Sequence, residues 1–177
     1  MDILLEKILS ECNGEKLRPT QHLIFVSVSE QKLYLFDGQK LAKTYAVSTS
    51  RRPPSCKNGS LGTPLGLHKI DGKIGAGMPI DTVFKARVAA GSISEQPPQE
   101  RERNLITSRI MRLRGLQAGV NLGGDVDTYE RYVYIHGTNQ EDKIGTPNSH
   151  GCVLLSCADA AELFDVARDG DIVLISK

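Results

Sequence analysis

"HGTNQEDKIGTPNSHGCVLLSC" occupies residues 136–157, directly behind the apolar run "YVYI". Two histidines and a cysteine stand among glycines and small polar residues, at the end of what reads as a strand. A thiol attacks a carbonyl only as thiolate, and a free cysteine near pKa 8.5 is mostly protonated at neutral pH. It therefore needs a base or a positive charge nearby, and a Cys–His pair is the smallest unit that supplies one. His136 sits at the strand end, a rigid place from which to aim an imidazole. Cys152 follows 16 residues later, a distance the loop can fold back across. Gly151 lets backbone approach a substrate closely, so the Gly151 and Cys152 amides could point at a developing oxyanion. Two other readings stay open on spacing alone. His136, His150 and Cys152 could be three zinc ligands, with His68 as a distant fourth. The same residues could also be a buried turn.

Working outward, the pattern is one of short strands. "LIFVSV" (23–28), "KLYLF" (32–36) and "KLAKTYAV" (40–47) are β-rich, and Asp37-Gly38 reads as a type I′ hairpin turn. "SRRPPSCKNGSLGTP" (50–64) is a loop, after which "LGLHKI" resumes as a strand to Asp71-Gly72. "GKIGAGMPI" (72–80) lacks the Gly-Lys-Ser/Thr of a phosphate loop and the third glycine of a dinucleotide fingerprint. Residues 91–104 read as an exposed polar loop, and "LITSRIMRL" fits either strand or helix. "SCADAAELFDVARDG" is the clearest helix. Ser156 and Asp159 form a capping box, Ala161, Leu163, Phe164 and Ala167 supply an apolar side, and Asp169-Gly170 stops it. "DIVLIS" closes as a strand. The fold class expected is mainly β, with packed sheets and a few short helices.

Composition narrows the function classes. The chain has 177 residues, 40% hydrophobic and 24% charged, which suits one globular domain. A net charge of +1 argues against nucleic acid as a partner, and "SRIMRLR" (108–114) reads as a solvated basic face. No stretch approaches the roughly 20 apolar residues of a membrane span. "MDILLEKILSEC" carries acids where a secretion signal needs bases; Ile3, Leu4, Ile8 and Leu9 instead recur at helical spacing. The expectation is a short amphipathic helix over residues 1–20, a catalytic domain over 21–177, and a cytoplasmic protein. Cys12, Cys56, Cys152 and Cys157 follow no zinc-knuckle spacing, and Cys12, Cys56 and Cys157 read as small semi-buried thiols.

"IHGT" followed by "SHGCV" resembles the signature of the L,D-transpeptidase (YkuD-type) catalytic domain. The opening strands, "LGTPLGLHKI" and "GVNLGGDVDTYERYVYIHGT" are similar to that family too. Only about the first 20 residues and 91–104 fall outside the resemblance. It implies a β-rich domain of packed mixed sheets. It also implies that Cys152 is the nucleophile, His136 its base, and the Gly137 carbonyl the orienting group on the other ring nitrogen. The Gly151 and Cys152 amides would line the oxyanion hole, and His150 would shape the pocket. The implied donor is a peptidoglycan tetrapeptide stem, attacked at the L-centre of its diamino acid with loss of D-alanine. The implied thioester passes to an amine or to water, with no metal or organic cofactor. Asn148, Ser149 and Arg131 are candidate substrate contacts by proximity in the chain.

The family pattern usually carries an arginine two residues past the nucleophile; here Leu154 occupies that place and Cys157 replaces an asparagine. A guanidinium could bind a stem carboxylate or brace the loop, whereas leucine can only pack. Arg131, Arg109 or Arg112 could supply the role from elsewhere. With the N-terminal reading, this departure leads to an expected cytosolic L,D-carboxypeptidase that trims D-alanine from recycled muropeptides. The alternatives are an L,D-transpeptidase, making cross-links or exchanging D-amino acids, and a non-catalytic muropeptide-binding domain.

Overall fold

The apolar runs "LIFV" and "IVLI" become the two strands at the heart of the sheet, because both of their faces are covered. In a computed structural model that describes residues 2–177, β1 (His22–Ser27) pairs in parallel with β10 (Ile172–Ser176). Leu23 and Phe25 of β1 face one side with Phe36, Leu67 and Leu174; Ile24 and Val26 face the other with Val173 and Ile175. A strand buried on both faces needs an unbroken apolar run rather than alternation, as the sequence supplies.

Each face has its own helical cover. α1 (Ile3–Gly14) lays Leu5, Ile8 and Cys12 on the first face, capped by the Asp2 carboxylate, which accepts from Leu4 N at 2.9 Å. The buried stripe matches the expected one only in part: Ile8 is buried, Leu4 and Leu9 are half-buried against the same cluster, and Ile3 is 80% exposed. α3 (Cys157–Val166) covers the second face with Ala160, Leu163 and Phe164. Burial of an Ile, Leu or Phe side chain here contributes roughly 1.5–3 kcal/mol. Ser156 caps α3 by accepting from Asp159 N at 3.0 Å, as the capping motif implied.

β2 (Lys32–Asp37), β3 (Lys40–Ala46), β4 (Gly66–Ile74), β5 (Thr82–Lys85), β6 (Val88–Ser92) and β7 (Ile106–Gly115) complete the main order β3-β2-β1-β10-β4-β7-β5-β6. β8 (Tyr134–Gly137) leaves that path by pairing antiparallel with β7, and β9 (Val153–Leu155) pairs in parallel with β8. The result is a mainly β fold around a curled mixed sheet.

Several expectations are corrected. The first hairpin is not type I′: only Gly38 carries a positive φ (57°), whereas type I′ needs it at both central positions. Two positive φ values occur instead at the β5–β6 turn, on Ala86 (46°) and Arg87 (69°), residues that give no sequence signal for one. "LITSRIMRL" is strand β7, and "SRIMRLR" is not a solvated face. Arg109 is buried, donating to Met78 O and Ser108 O over the Phe164 ring, while Arg112 and Arg114 each lie 3.8 Å from the Tyr129 ring centre. Residues 91–104 contain the end of β6 and a single helical turn, α2 (Pro98–Arg101).

Candidate active site

β8 and β9 lie in register, with Ile135 opposite Val153 and His136 opposite Leu154. Side chains alternate along a strand, so Ile135 and Val153 enter the core, while Tyr134, His136, Cys152 and Leu154 share the other face. The "IHG" and "HGC" segments are adjacent because this strand pairing makes them so.

His136 is 2% exposed, and its Nδ1 lies 2.7 Å from Gly137 O. A carbonyl can only accept, so Nδ1 carries the proton and Nε2 presents a lone pair. Burial pushes the imidazole pKa down to about 4, leaving it neutral at pH 7 and ready to take a proton. A side chain at Gly137 would place its Cβ 2.8 Å from Thr107 O, so the position admits only glycine.

Cys152 is half-buried just before β9. Its sulfur accepts from Tyr134 N at 3.3 Å, and its thiol donates toward Tyr132 O at 3.7 Å. Burial pushes the thiol up to about 11, against the opposing pull of the Tyr134 amide and the Arg131 charge. Among the described residues no hydrogen bond joins Cys152 to His136; Leu154, 1% exposed, is the strand partner of His136. The thiol is turned to Tyr132 O and not bonded to Nε2.

The loop ahead of the thiol braces itself. Ser149 Oγ donates to Cys152 O at 2.6 Å and accepts from Gly151 N at 3.1 Å, so this glycine amide points at Ser149 rather than outward. Asn148 Nδ2 donates to Gln140 Oε1 at 2.8 Å. Both side chains are buried with internal partners, whereas His150 is exposed and lines the hollow outside. Gly151 has φ 123°, a conformation that favours glycine.

Of the three arginines considered in place of residue 154, Arg131 alone lines the thiol's hollow, a space of about 180 Å³ shared with Asn58, Leu61, Tyr132 and His150. Its guanidinium donates to Gly62 O at 2.8 Å and Ser55 O at 3.1 Å, clipping the 55–62 loop over the thiol. Gly62 seats that loop: a Cβ there would lie 2.4 Å from Pro53 O. Sequence reasoning found this loop but missed its place at the thiol, and missed the tyrosine backbone under the sulfur. The loop's only signal was its richness in glycine and proline, and "RYVYIHG" showed a strand without showing what it would touch.

His68 stays remote, with Nδ1 2.9 Å from Gly66 O and Nε2 3.1 Å from Thr128 Oγ1. Among the described residues no three His, Cys, Asp or Glu side chains gather as a metal-binding group. The zinc reading thus has no ligand set.

Among solved structures, an L,D-transpeptidase from Mycobacterium smegmatis superposes with a TM-score of 0.56 at 17% identity, covering 89% of this chain and 59% of that one. One from Xylanimonas cellulosilytica DSM 15894 gives 0.56 at 16%, covering 90% and 62%. An L,D-transpeptidase from Enterococcus faecium gives 0.55 at 15%, covering 89% and 50%. The chain thus spans half to three fifths of the length of these structures, and at such identities the likeness is one of fold. No curated protein matches the sequence. The sequence pattern of the YkuD L,D-transpeptidase catalytic domain, however, matches residues 21–175, and the chain belongs to that family.

Proposed function

We propose that this domain is a cysteine-dependent L,D-carboxypeptidase acting on soluble peptidoglycan tetrapeptide stems. The Cys152 thiol gives its proton to His136 Nε2, and the thiolate attacks the carbonyl of the diamino acid's L-centre. The C–N bond to D-alanine breaks, the imidazolium returns the proton to the departing amine, and a thioester remains. Water, deprotonated by the same imidazole, cleaves the thioester to tripeptide and restores the thiol. The Gly137 carbonyl holds the tautomer that makes Nε2 the base. The Cys152 amide and a reoriented Gly151 amide stabilise the oxyanion.

The observation that carries the hydrolytic reading is Leu154. It is buried beside His136 where the family usually has arginine, and the guanidinium of Arg131 is committed to loop carbonyls. Among the described residues no side-chain cation is seen to act on the imidazole, so none is placed there to hold an acceptor's carboxylate, which favours water as the acceptor. The second reading, transpeptidation, rests on family membership. Mass spectrometry of the protein with a tetrapeptide stem, with and without excess D-amino acid, separates the two. Tripeptide formation unaffected by the amine supports hydrolysis; exchanged or dimeric products establish transpeptidation. No reaction leaves the domain as a binder of muropeptides.

A further inference from the structure

The hollow at Cys152 is one of three that share His150. The second, of about 280 Å³, is lined by Arg51, Arg52, Leu61, Ser149 and His150. The third, of about 370 Å³, is lined by Arg51, Glu102, Arg103, Asn104, Gln140 and His150. They adjoin one another through shared linings, Leu61 and His150 between the first and second and Arg51 and His150 between the second and third, and together make a trough beside the thiol. Glu102 is the one acidic side chain lining these three hollows.

Both walls are tied to the catalytic segments. Arg51 N donates to Ser149 O at 3.2 Å, and Asn148 N and Ser149 N each donate to Thr49 O at 2.9 Å. On the other wall, Asn139 Nδ2 donates to Arg101 O at 2.8 Å and Gln140 Nε2 to Glu102 O at 2.9 Å. The segment 91–104 thus contributes Arg103. Among the described residues, the guanidiniums of Arg51, Arg52 and Arg103 make no side-chain hydrogen bond or ion pair, unlike those of Arg87, Arg109, Arg114 and Arg131. Three unpaired forks on backbone-anchored loops suit an external carboxylate or phosphate, which guanidinium binds bidentately.

We propose that this trough binds an anionic group, carboxylate or phosphate, on the part of the stem substrate remote from the bond being cut. The inference rests on the stem-peptide reading above. Its test compares wild type with the Arg51→Ala/Arg52→Ala double variant and Arg103→Ala by steady-state kinetics. The substrates are a free tetrapeptide stem, the same stem with its non-reacting carboxylates amidated, and the stem joined to a nucleoside-diphosphate sugar. Losing a charge-assisted contact raises KM about tenfold on a charged substrate with kcat nearly unchanged, and leaves the amidated stem unaffected. A larger rise on the nucleotide-linked stem assigns the ligand as phosphate; a larger rise on the free stem assigns carboxylate. Unchanged KM on both charged substrates, or an equal rise on the amidated one, overturns the proposal. If wild type turns over no stem, the enzymatic reading fails, and titration with inorganic pyrophosphate decides. A saturable shift of the His150 imidazole resonances, lost in the double variant, supports the trough; no shift overturns it.

Discussion

Two of the molecule's buried histidines, and two of its cysteines, are alike in ionisation and differ in what surrounds them. His68 and His136 each place Nδ1 on a backbone carbonyl, and burial pushes each down to about 4. His68 closes its other nitrogen on Thr128, whereas the Nε2 of His136 has no hydrogen-bond partner among the described residues. Cys152 and Cys157 are likewise both pushed up to about 11 by burial. Cys157 is enclosed by Thr107 Oγ1 at 3.2 Å and Thr138 O at 3.5 Å, while Cys152 opens on a hollow. Shifted ionisation alone does not mark the candidate pair. What sets it apart, among the described residues, is an imidazole nitrogen without a hydrogen-bond partner and a thiol that borders a hollow.

The largest break in this comparison comes from the thiols. Cys152→Ala should lower turnover of a tetrapeptide stem by at least about 10³-fold with circular dichroism unchanged. Cys157→Ala should keep most of the rate. Next, His136→Ala should lower kcat/KM by roughly 10²–10⁴-fold, the worth of a positioned base. His68→Gln should instead show in the thermal midpoint and leave the rate within a few-fold.

Two pH experiments sharpen the comparison further. Both histidines titrate near 4 in the fold and about 6.5 when unfolded, so the unfolded chain binds the extra protons. Their stabilising effect is complete above about 6.5 and drains as pH falls toward 4, at most about 3 kcal/mol per ring. Urea midpoints across that window should show it, with a shallower slope in His68→Gln. The smallest effect concerns reactivity without substrate. Because Cys152 is held as a neutral thiol, its iodoacetamide alkylation should be slow at pH 7 and quicken about tenfold per unit as pH rises toward 11. Peptide mapping by mass spectrometry would report it, and a rate already flat at pH 7 would mean a preformed thiolate.

Much of this was legible in the sequence where one strong local rule acted. Unbroken apolar runs gave β1 and β10, the Ser156 cap gave α3, and paired His and His-Gly-Cys motifs singled out His136 and Cys152. What stayed hidden depends on residues distant in the chain. β7 is ambiguous by itself because its arginines alternate with core residues; only the partners on both sides make it a central strand. Nor does spacing reveal that Arg131 is spent on the 55–62 loop, or that Arg51 and Arg103 meet at His150. Ala86 and Arg87 adopt left-handed backbone against their own preference, so no local signal marks that turn.

The parallel pairing of β8 with β9 carries a consequence for how such a domain can diversify. Parallel neighbours cannot be joined by a tight turn, so the chain must travel from Gly137 around to Val153, and it does so without a long helix. His136 and the candidate nucleophile Cys152 are thus brought together by the ladder and not by the length of the excursion between them. Exposed Asp142 and Lys143, whose side chains hold nothing at the site, can be rewritten while that pairing stays in place, which lets selectivity drift independently of it.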